Sequence, residues 1–331
     1  MMRHFRRFML RAAGNGAITF ALVLIVFGSI SRHFLDSSNL INIVVQSSSL
    51  AIVAVGMTCT LLTAGIDLSV GSTMFVAAAV AGKLLLDGSP ASLAVVAALG
   101  VGLAFGLTNA VLVAYFSMQP FIATLATLFL GRGLALLITQ TRSLNLPDGF
   151  VQFGSRRILF VPLPILAMVL AIGTIHFILS RTSLGRQIYA VGHSPSAARV
   201  AGINTRRVLA SSYVICGLCA AIGGVVALSL LGTVSQTFGS QREFSAVSAA
   251  VLGGTSLFGG RGKVFPGTVI GALLIQAVEN GLVLVNADPY IYPLVTAVVI
   301  FSTVLIDSLR HERFLKASRR KIRLEDVSLA S

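Results

Sequence analysis

Residues 181–207 have the sequence RTSLGRQIYAVGHSPSAARVAGINTRR, a polar stretch between two long apolar runs. It contains five arginines, and basic residues beside membrane spans favour the cytoplasmic side. The pattern predicts one short helix, and the stretch is too short to fold into a domain of its own. We therefore expect this segment, called here the cytoplasmic segment, to contact another protein, and the chain around it to lie in a membrane.

The composition excludes a soluble domain. Of 331 residues, 55% are hydrophobic and 11% are charged, whereas soluble domains carry about 25% charged residues. The net charge of +14 does not indicate nucleic-acid binding, because the basic residues gather beside predicted spans. Flanks of this kind face anionic lipid headgroups, so membrane lipid is the expected partner of these charges. The clusters lie at residues 3–11, 181–207, 261–263 and 310–323.

The apolar runs predict an all-α, polytopic integral membrane protein with about ten transmembrane helices. A helix needs about 20 apolar residues to cross the hydrocarbon core, and the third and eighth runs are short enough to be broken or re-entrant. An even number of spans with the basic clusters inside places both termini in the cytoplasm. The domains are then a basic N-terminus at 1–13, a membrane domain at 14–308 and a basic tail at 309–331. The runs are 14–31, 41–64, 69–86, 92–115, 121–140, 158–179, 208–230, 244–258, 264–284 and 290–308.

A polar interruption at residues 64–72, with the sequence AGIDLSVGS, separates the second and third runs. Its two glycines let the chain leave helical geometry, and Ser69 and Ser72 can cap the helix that restarts. Asp67 then lies near a helix N-terminus, where negative charge is favoured. Two interpretations stay open: a tight capped turn, or a helix break beside a solute path, since irregular backbone at membrane depth usually lines a cavity.

Polar residues inside apolar runs are the other candidates for a solute path. A carboxylate such as Glu279 costs a few kcal/mol when it faces lipid, so we expect it to face a wet cavity or a partner. Polar side chains also pack helices against each other, and both roles stay open for each residue. The candidates are Gln46, Asp67, Ser69, Asn109, Thr124, Gln276, Glu279 and Asn280.

A third motif, at residues 251–262, contains the sequence VLGGT followed by GGRG. It lacks the serine or threonine that follows the lysine of a phosphate-binding loop, and it predicts a glycine-rich hairpin between closely packed helices.

The three motifs together resemble those of permease subunits of ribose-type sugar ABC importers. The first departs from the family pattern only at Ala64, and the second departs at His193, Ser194 and Pro195. The resemblance covers roughly residues 40–308. The second motif matches at Thr182, Gly185, Arg186, Ile188, Tyr189, Ala190, Gly192, Ala197, Ala198, Gly202 and Ile203.

The resemblance implies the mechanism and the partners. Residues 194–203 would form a coupling helix that docks on an ABC-type ATP-binding subunit, which binds ATP and Mg²⁺ while this chain holds no cofactor or metal and has no enzymatic activity. A periplasmic sugar-binding protein would deliver the solute, and a second copy or a related permease would complete the pore in the bacterial inner (cell) membrane. The coupling candidates are Arg186, Gly192, Pro195, Ala197, Ala198, Gly202 and Ile203.

Transport would then proceed by alternating access. An ion-coupled secondary transporter of a small polar solute is the alternative. Neither the sugar nor the choice between two identical and two different permeases follows from the sequence.

Overall fold

The computed structural model describes residues 16–146, 150, 154, 156–288, 290–292, 294–295, 297–299, 301–302 and 305. The predicted termini at 1–13 and 309–331 lie outside these residues, as do parts of the run at 290–308. The described part is built mainly of helices. These are α1 (Gly16–Ile30), α2 (Ser37–Leu62), α3 (Val70–Leu86), α4 (Ala91–Ala110), α5 (Pro120–Thr139), α6 (Leu163–Arg181), α7 (Ser183–His193), α8 (Pro195–Val200), α9 (Thr205–Leu231), α10 (Arg242–Leu252) and α11 (Val269–Leu284).

Two π-helical turns extend this set: Val111–Tyr115 continues α4, and Val264–Thr268 precedes α11. With these turns included, six helices of the described residues are long and apolar enough to cross a membrane. Two more, α1 and α3, are apolar but shorter. A multi-pass membrane protein is thereby supported, while the total of ten spans and the cytoplasmic location of the termini stay predictions.

The eighth apolar run, at 244–258, which the sequence also allowed to be broken or re-entrant, does not form a full span. Helix α10 ends at Leu252, and its 11 residues cover only about 16 Å, roughly half of the hydrocarbon core. The chain turns at Gly253 and Gly254, and Gly254 has a φ of +93°, a conformation that glycine adopts without steric cost. The segment is therefore a half-helix followed by a loop.

Helices α2 and α9 form the centre of the bundle. Residues Leu50–Leu62 of α2 are all buried, and α9 packs against α2, α3 and α4. The backbones of α4 and α9 meet at Gly102 and Gly217, where neither residue has room for a Cβ atom. Small residues allow this close approach in membranes, which accounts for the high glycine content.

Four two-residue strands, which the sequence did not predict, lie at one end of the bundle. β1 (Leu144–Asn145) pairs with β4 (Thr233–Val234), and β2 (Arg157–Ile158) forms a hairpin with β3 (Val161–Pro162). We call this end the outer end, and the end that carries residues 181–207 the inner end.

The cytoplasmic segment forms two helices, α7 and α8, and the prediction of one short helix is corrected. Thr182 caps α7 by accepting a hydrogen bond from the Gly185 amide, and Ser194 caps α8 by accepting one from the Ala197 amide. Pro195 is the first residue of α8 and has no N–H to donate to the preceding turn. The segment therefore cannot form one continuous helix, and it divides between His193 and Pro195.

Candidate functional site

The three sequence motifs meet at the inner end of the bundle. Gly192 of α7 lies against the carbonyl oxygen of Leu62, where α2 ends, and against the amide of Gly260. The Gly260 amide donates a 2.9 Å hydrogen bond to that same carbonyl oxygen. A side chain at Gly192 would separate these backbones, so glycine is required for the contact.

Tyr189 makes a second contact between the cytoplasmic segment and the glycine-rich loop. Its hydroxyl donates a 2.9 Å hydrogen bond to the carbonyl oxygen of Gly262. Burial raises the pKa of the Tyr189 phenol, which keeps the hydroxyl protonated and able to donate. The cytoplasmic segment, the end of α2 and the loop at 253–263 are therefore in direct contact with one another.

The structure divides the coupling candidates by exposure. Gly192 and Ala198 are buried inside this chain, so they position the segment but cannot contact a partner. Ile203 is partly buried. The others present surface to a partner: Arg186, Pro195, Ala197 and Gly202 are exposed. At Gly202 the φ of +79° ends the short helix in a left-handed turn.

Sequence reasoning missed Val200, the last residue of α8. Its side chain is 92% exposed on the same short helix as Pro195 and Ala197, so it belongs to the surface that this helix presents to a partner. The signal was present in the sequence, because an apolar residue follows Arg199 within a basic segment.

The break at residues 64–72 is held by the Asp67 carboxylate. One carboxylate oxygen of Asp67 accepts hydrogen bonds from the Ser69 amide (2.9 Å) and the Ser69 hydroxyl (2.6 Å). The prediction that Ser69 and Ser72 cap α3 is wrong: the Ser69 side chain makes no cap hydrogen bond, and the Ser72 hydroxyl donates to the Ser69 carbonyl oxygen. The Asp67 carboxylate instead holds the amide of Ser69, the residue immediately before α3.

Asn109 and two threonines extend this cluster across α4 and α5. The Asn109 amide donates to the Asp67 carboxylate (3.2 Å) and to the Ser69 hydroxyl (2.8 Å). Thr127 donates to the Asn109 carbonyl oxygen at 2.7 Å, and Thr124 donates to the Ile66 carbonyl oxygen at 3.3 Å. We call Asp67, Ser69, Asn109, Thr124 and Thr127 the buried network, since all five side chains are buried.

The buried network favours the packing interpretation for four of the solute-path candidates. Asp67, Ser69, Asn109 and Thr124 bond to each other or to nearby backbone, and each is buried to 99% or more. These hydrogen bonds join the break at 64–72 to α4 and α5, while the second carboxylate oxygen of Asp67 is buried without a hydrogen-bond partner among the described residues.

Three of the four remaining candidates line a cavity of about 640 Å³ at the outer end. Gln46, Gln276 and Glu279 line it, together with Asn42 and Arg242, which sequence reasoning missed. The Gln276 amide donates to the Gln46 carbonyl oxygen at 3.1 Å, so the cavity lies where α2 and α11 meet. We call it the outer cavity.

An adjoining cavity of about 330 Å³ shares Gln46, Gln276 and Glu279 and adds Asn280. The Asn280 side chain exchanges two hydrogen bonds, of 2.9 and 3.1 Å, with Asn39 of α2. Four of the predicted path residues therefore share one polar surface, which amide and carboxyl groups equip to bond hydroxyl groups.

Two residues of opposite charge, Arg132 and Glu243, lie near the start of α10 beside this cavity, without forming a salt bridge. Arg132 of α5 donates to the Phe238 carbonyl oxygen at 2.5 Å and lies 5.5 Å from the centre of the Phe75 ring. Glu243, at the start of α10, is buried against Gly71, with Arg132 on the same side of that glycine. Arg132 therefore binds the loop before α10 through Phe238, while one carboxylate oxygen of Glu243 is buried without a hydrogen-bond partner among the described residues.

The described residues contain no cluster of metal-ligating side chains. The geometry is that of a bundle with a polar cavity at one end and an exposed, basic helix pair at the other, joined by α2.

Comparison with known proteins gives a family match over residues 39–305, described as branched-chain amino acid transport system / permease component. The chain is 40% identical over 296 residues to the ribose import permease protein of Escherichia coli, covering 88% of this chain and 92% of that protein. It is 38% identical over 291 residues to the ribose import permease protein of Bacillus subtilis, with 87% and 90% covered. It is 37% identical over 327 residues to the galactofuranose transporter permease protein of Escherichia coli, with 96% and 95% covered. No solved structure matches the chain.

Proposed function

Since this chain belongs to the branched-chain amino acid transport system / permease component family, we propose that it is the membrane-spanning subunit of an ATP-driven sugar importer. Its relatives include permeases for ribose and galactofuranose, which favour a sugar over other solutes. They also favour this function over an ion-coupled secondary transporter. ATP and Mg²⁺ would bind to a separate subunit, and this chain would hydrolyse nothing.

The observation that carries the mechanism is the path of helix α2. Gln46, in its first half, lines the outer cavity, and Leu62, at its end, contacts Gly192 of the cytoplasmic segment. These positions are 16 residues apart, which is about 24 Å along a helix. A movement imposed on the cytoplasmic segment is therefore transmitted to the cavity through one rigid element.

In the proposed cycle, a periplasmic binding protein delivers the sugar to the outer cavity in the bacterial inner membrane. Closure of the ATP-binding subunits moves α7 and α8, and α2 moves with them. Two permeases, either two copies of this chain or this chain and a relative, form the complete pore. Alternation between outward-open and inward-open states then moves the sugar inward.

Uptake by the reconstituted complex tests the proposal. Proteoliposomes would contain this chain, the ATP-binding subunit and the binding protein, and would be offered labelled ribose, galactofuranose, allose and fructose. We expect uptake of one or more of them that requires ATP and survives an ionophore that collapses ion gradients. Uptake that persists without the ATP-binding subunit and disappears with the ionophore would establish the ion-coupled alternative.

A further inference from the structure

A largely apolar groove lies at the outer end of the bundle and shares no lining residue with the outer cavity. Its volume is about 680 Å³, and it runs between α4, α6 and α9. The residues that line it include Val95 and Leu99 of α4, Leu163 and Ala167 of α6, and Val226 of α9. Two serines, Ser92 and Ser229, also line it, and the Ser229 hydroxyl donates to the Val226 carbonyl oxygen at 2.8 Å. The other lining residues are apolar.

The length of the groove along α4 is close to the thickness of one leaflet of the hydrocarbon core. Its lining on α4 begins at Ala91, the first residue of that helix, and ends at Leu99. Eight residues of helix rise about 12 Å, while half of the hydrocarbon core is about 15 Å thick. Val96 is 63% exposed beside the groove, so the opening faces the lipid rather than the interior of the chain.

The β2–β3 hairpin stands at the mouth of this groove. Its turn carries Leu159 and Phe160, whose side chains are 88% and 92% exposed. Both residues have positive φ, 49° and 71°, which is costly for bulky side chains. Exposed leucine and phenylalanine side chains at this level suit insertion at the boundary between headgroups and acyl chains, where interfacial helices bury such side chains.

A positive charge lies at the base of the same hairpin. Arg157 pairs with Pro162, one residue before Leu163 of the groove, and its side chain is exposed. The Leu163 amide donates to the Arg156 carbonyl oxygen at 2.9 Å, which fixes the hairpin to the groove mouth. An arginine guanidinium is suited to binding a phosphate oxygen pair.

We propose that the groove binds one acyl chain of a phospholipid from the leaflet on the hairpin side, with the lipid phosphate on Arg157. The apolar lining takes the chain, the exposed turn lies among the headgroups, and the charge selects a phosphodiester. The occupant is a lipid and not a second copy of the permease, because the apolar lining ends beside an exposed arginine, and an acyl chain next to a phosphate complements both.

Photolabelling tests this site in the full-length permease within its complex. The probe is a phosphatidylglycerol with a diazirine on its acyl chain, and labelled peptides are mapped by mass spectrometry. We expect labels on the peptides around Val95–Leu99 and Ala167. Ala167→Phe fills the groove and should remove these labels, while Ala104→Phe, an exposed alanine of α4 outside the groove, should leave them.

The headgroup contact is tested separately. Arg157→Gln should lower the labelling of the same peptides about tenfold at limiting probe, the loss expected for one charge-assisted hydrogen bond. If Ala167→Phe does not yield a monodisperse complex, Ala91→Trp at the rim fills the groove instead. Unchanged labelling in the groove-filled protein would overturn the proposal. Efficient disulfide formation between two Val96→Cys chains would overturn it as well, because a second permease would then cover the groove.

Discussion

Gly192 of α7 lies directly against the carbonyl oxygen of Leu62, at the end of α2. The two residues are 130 positions apart in the chain. Gly192 belongs to the motif at 181–207, and Leu62 lies just before the motif at 64–72. The contact joins the segment that we expect to dock on an ATP-binding subunit to the helix that lines the outer cavity. The stability of this joint is therefore expected to govern coupling.

Gly192→Ala should loosen the joint. A methyl group there would overlap backbone atoms, and overpacking of this kind costs about 1–3 kcal/mol. We expect a lower unfolding temperature in detergent and weaker stimulation of ATPase activity by substrate. Gly173→Ala is the matched control, because a Cβ at Gly173 of α6 meets nothing within 4 Å. Equal behaviour of the two variants would contradict the importance of the joint.

Ala64→Gly should stabilise the protein. Ala64 has a φ of 60°, and a left-handed conformation costs a residue with a Cβ about 1–2 kcal/mol. Part of the gain is offset by the greater freedom of glycine in the unfolded chain, which leaves an expected gain of about 1 kcal/mol or less in the free energy of unfolding. Ala104→Gly, in the helical part of α4, should have the opposite sign. Thermal unfolding of both variants measures the difference.

Asn109→Leu should destabilise the bundle without a specific effect on substrate affinity. It removes one hydrogen bond from the Thr127 hydroxyl and one from the Asp67 carboxylate, which keep their bonds to helix backbone and to Ser69. Each lost bond is worth about 0.5–1.5 kcal/mol. Thr108→Val, at the exposed neighbouring position, should be nearly neutral. A normal unfolding temperature with an altered KM for uptake would instead place Asn109 in the solute path.

Val200→Asp should uncouple ATP hydrolysis from transport. A charge at the exposed end of α8 would be desolvated on docking, so we expect loss of the ATP-binding subunit during purification of the complex. The fold should be kept, because Val200 is 92% exposed. Leu159→Asp makes the same type of change at the outer end and should leave that subunit bound. A stable complex with Val200→Asp would show that α8 does not dock there.

Glu279→Gln should raise the KM for uptake and leave basal ATPase activity unchanged. The substitution keeps the shape of a side chain that lines the outer cavity but removes its charge, and hydrogen bonds to charged groups are worth about 1.5–3 kcal/mol against about 1 for neutral ones. The expected increase is several-fold. Asp87→Asn, at an exposed position beyond α3, is the control. A KM equal to that of the unchanged protein would remove Glu279 from the substrate contacts.

The fold class and the motifs were readable from the sequence because they depend on local properties. Long apolar runs require helices in a bilayer, and most predicted boundaries lie within a few residues of the observed ones. The wrong predictions concern where helices end, which depends on the backbone conformation of single glycine and proline residues. The run at 244–258 is apolar enough to suggest a span, yet Gly253 and Gly254 turn the chain, and Pro195 divides a segment that was predicted as one helix.

Sequence by itself determined that this is a multi-pass membrane protein of the permease family and which polar residues its helices contain. Only the tertiary structure decided what those residues face: Asn109 and Thr124 point into the buried network, while Gln46 and Glu279 line the outer cavity. Hydropathy measures how polar a helix position is but not how the helix is rotated against its neighbours. That rotation is set by packing between residues far apart in the chain, such as Gly102 with Gly217 and Leu62 with Gly192, and it becomes visible only when the helices are assembled.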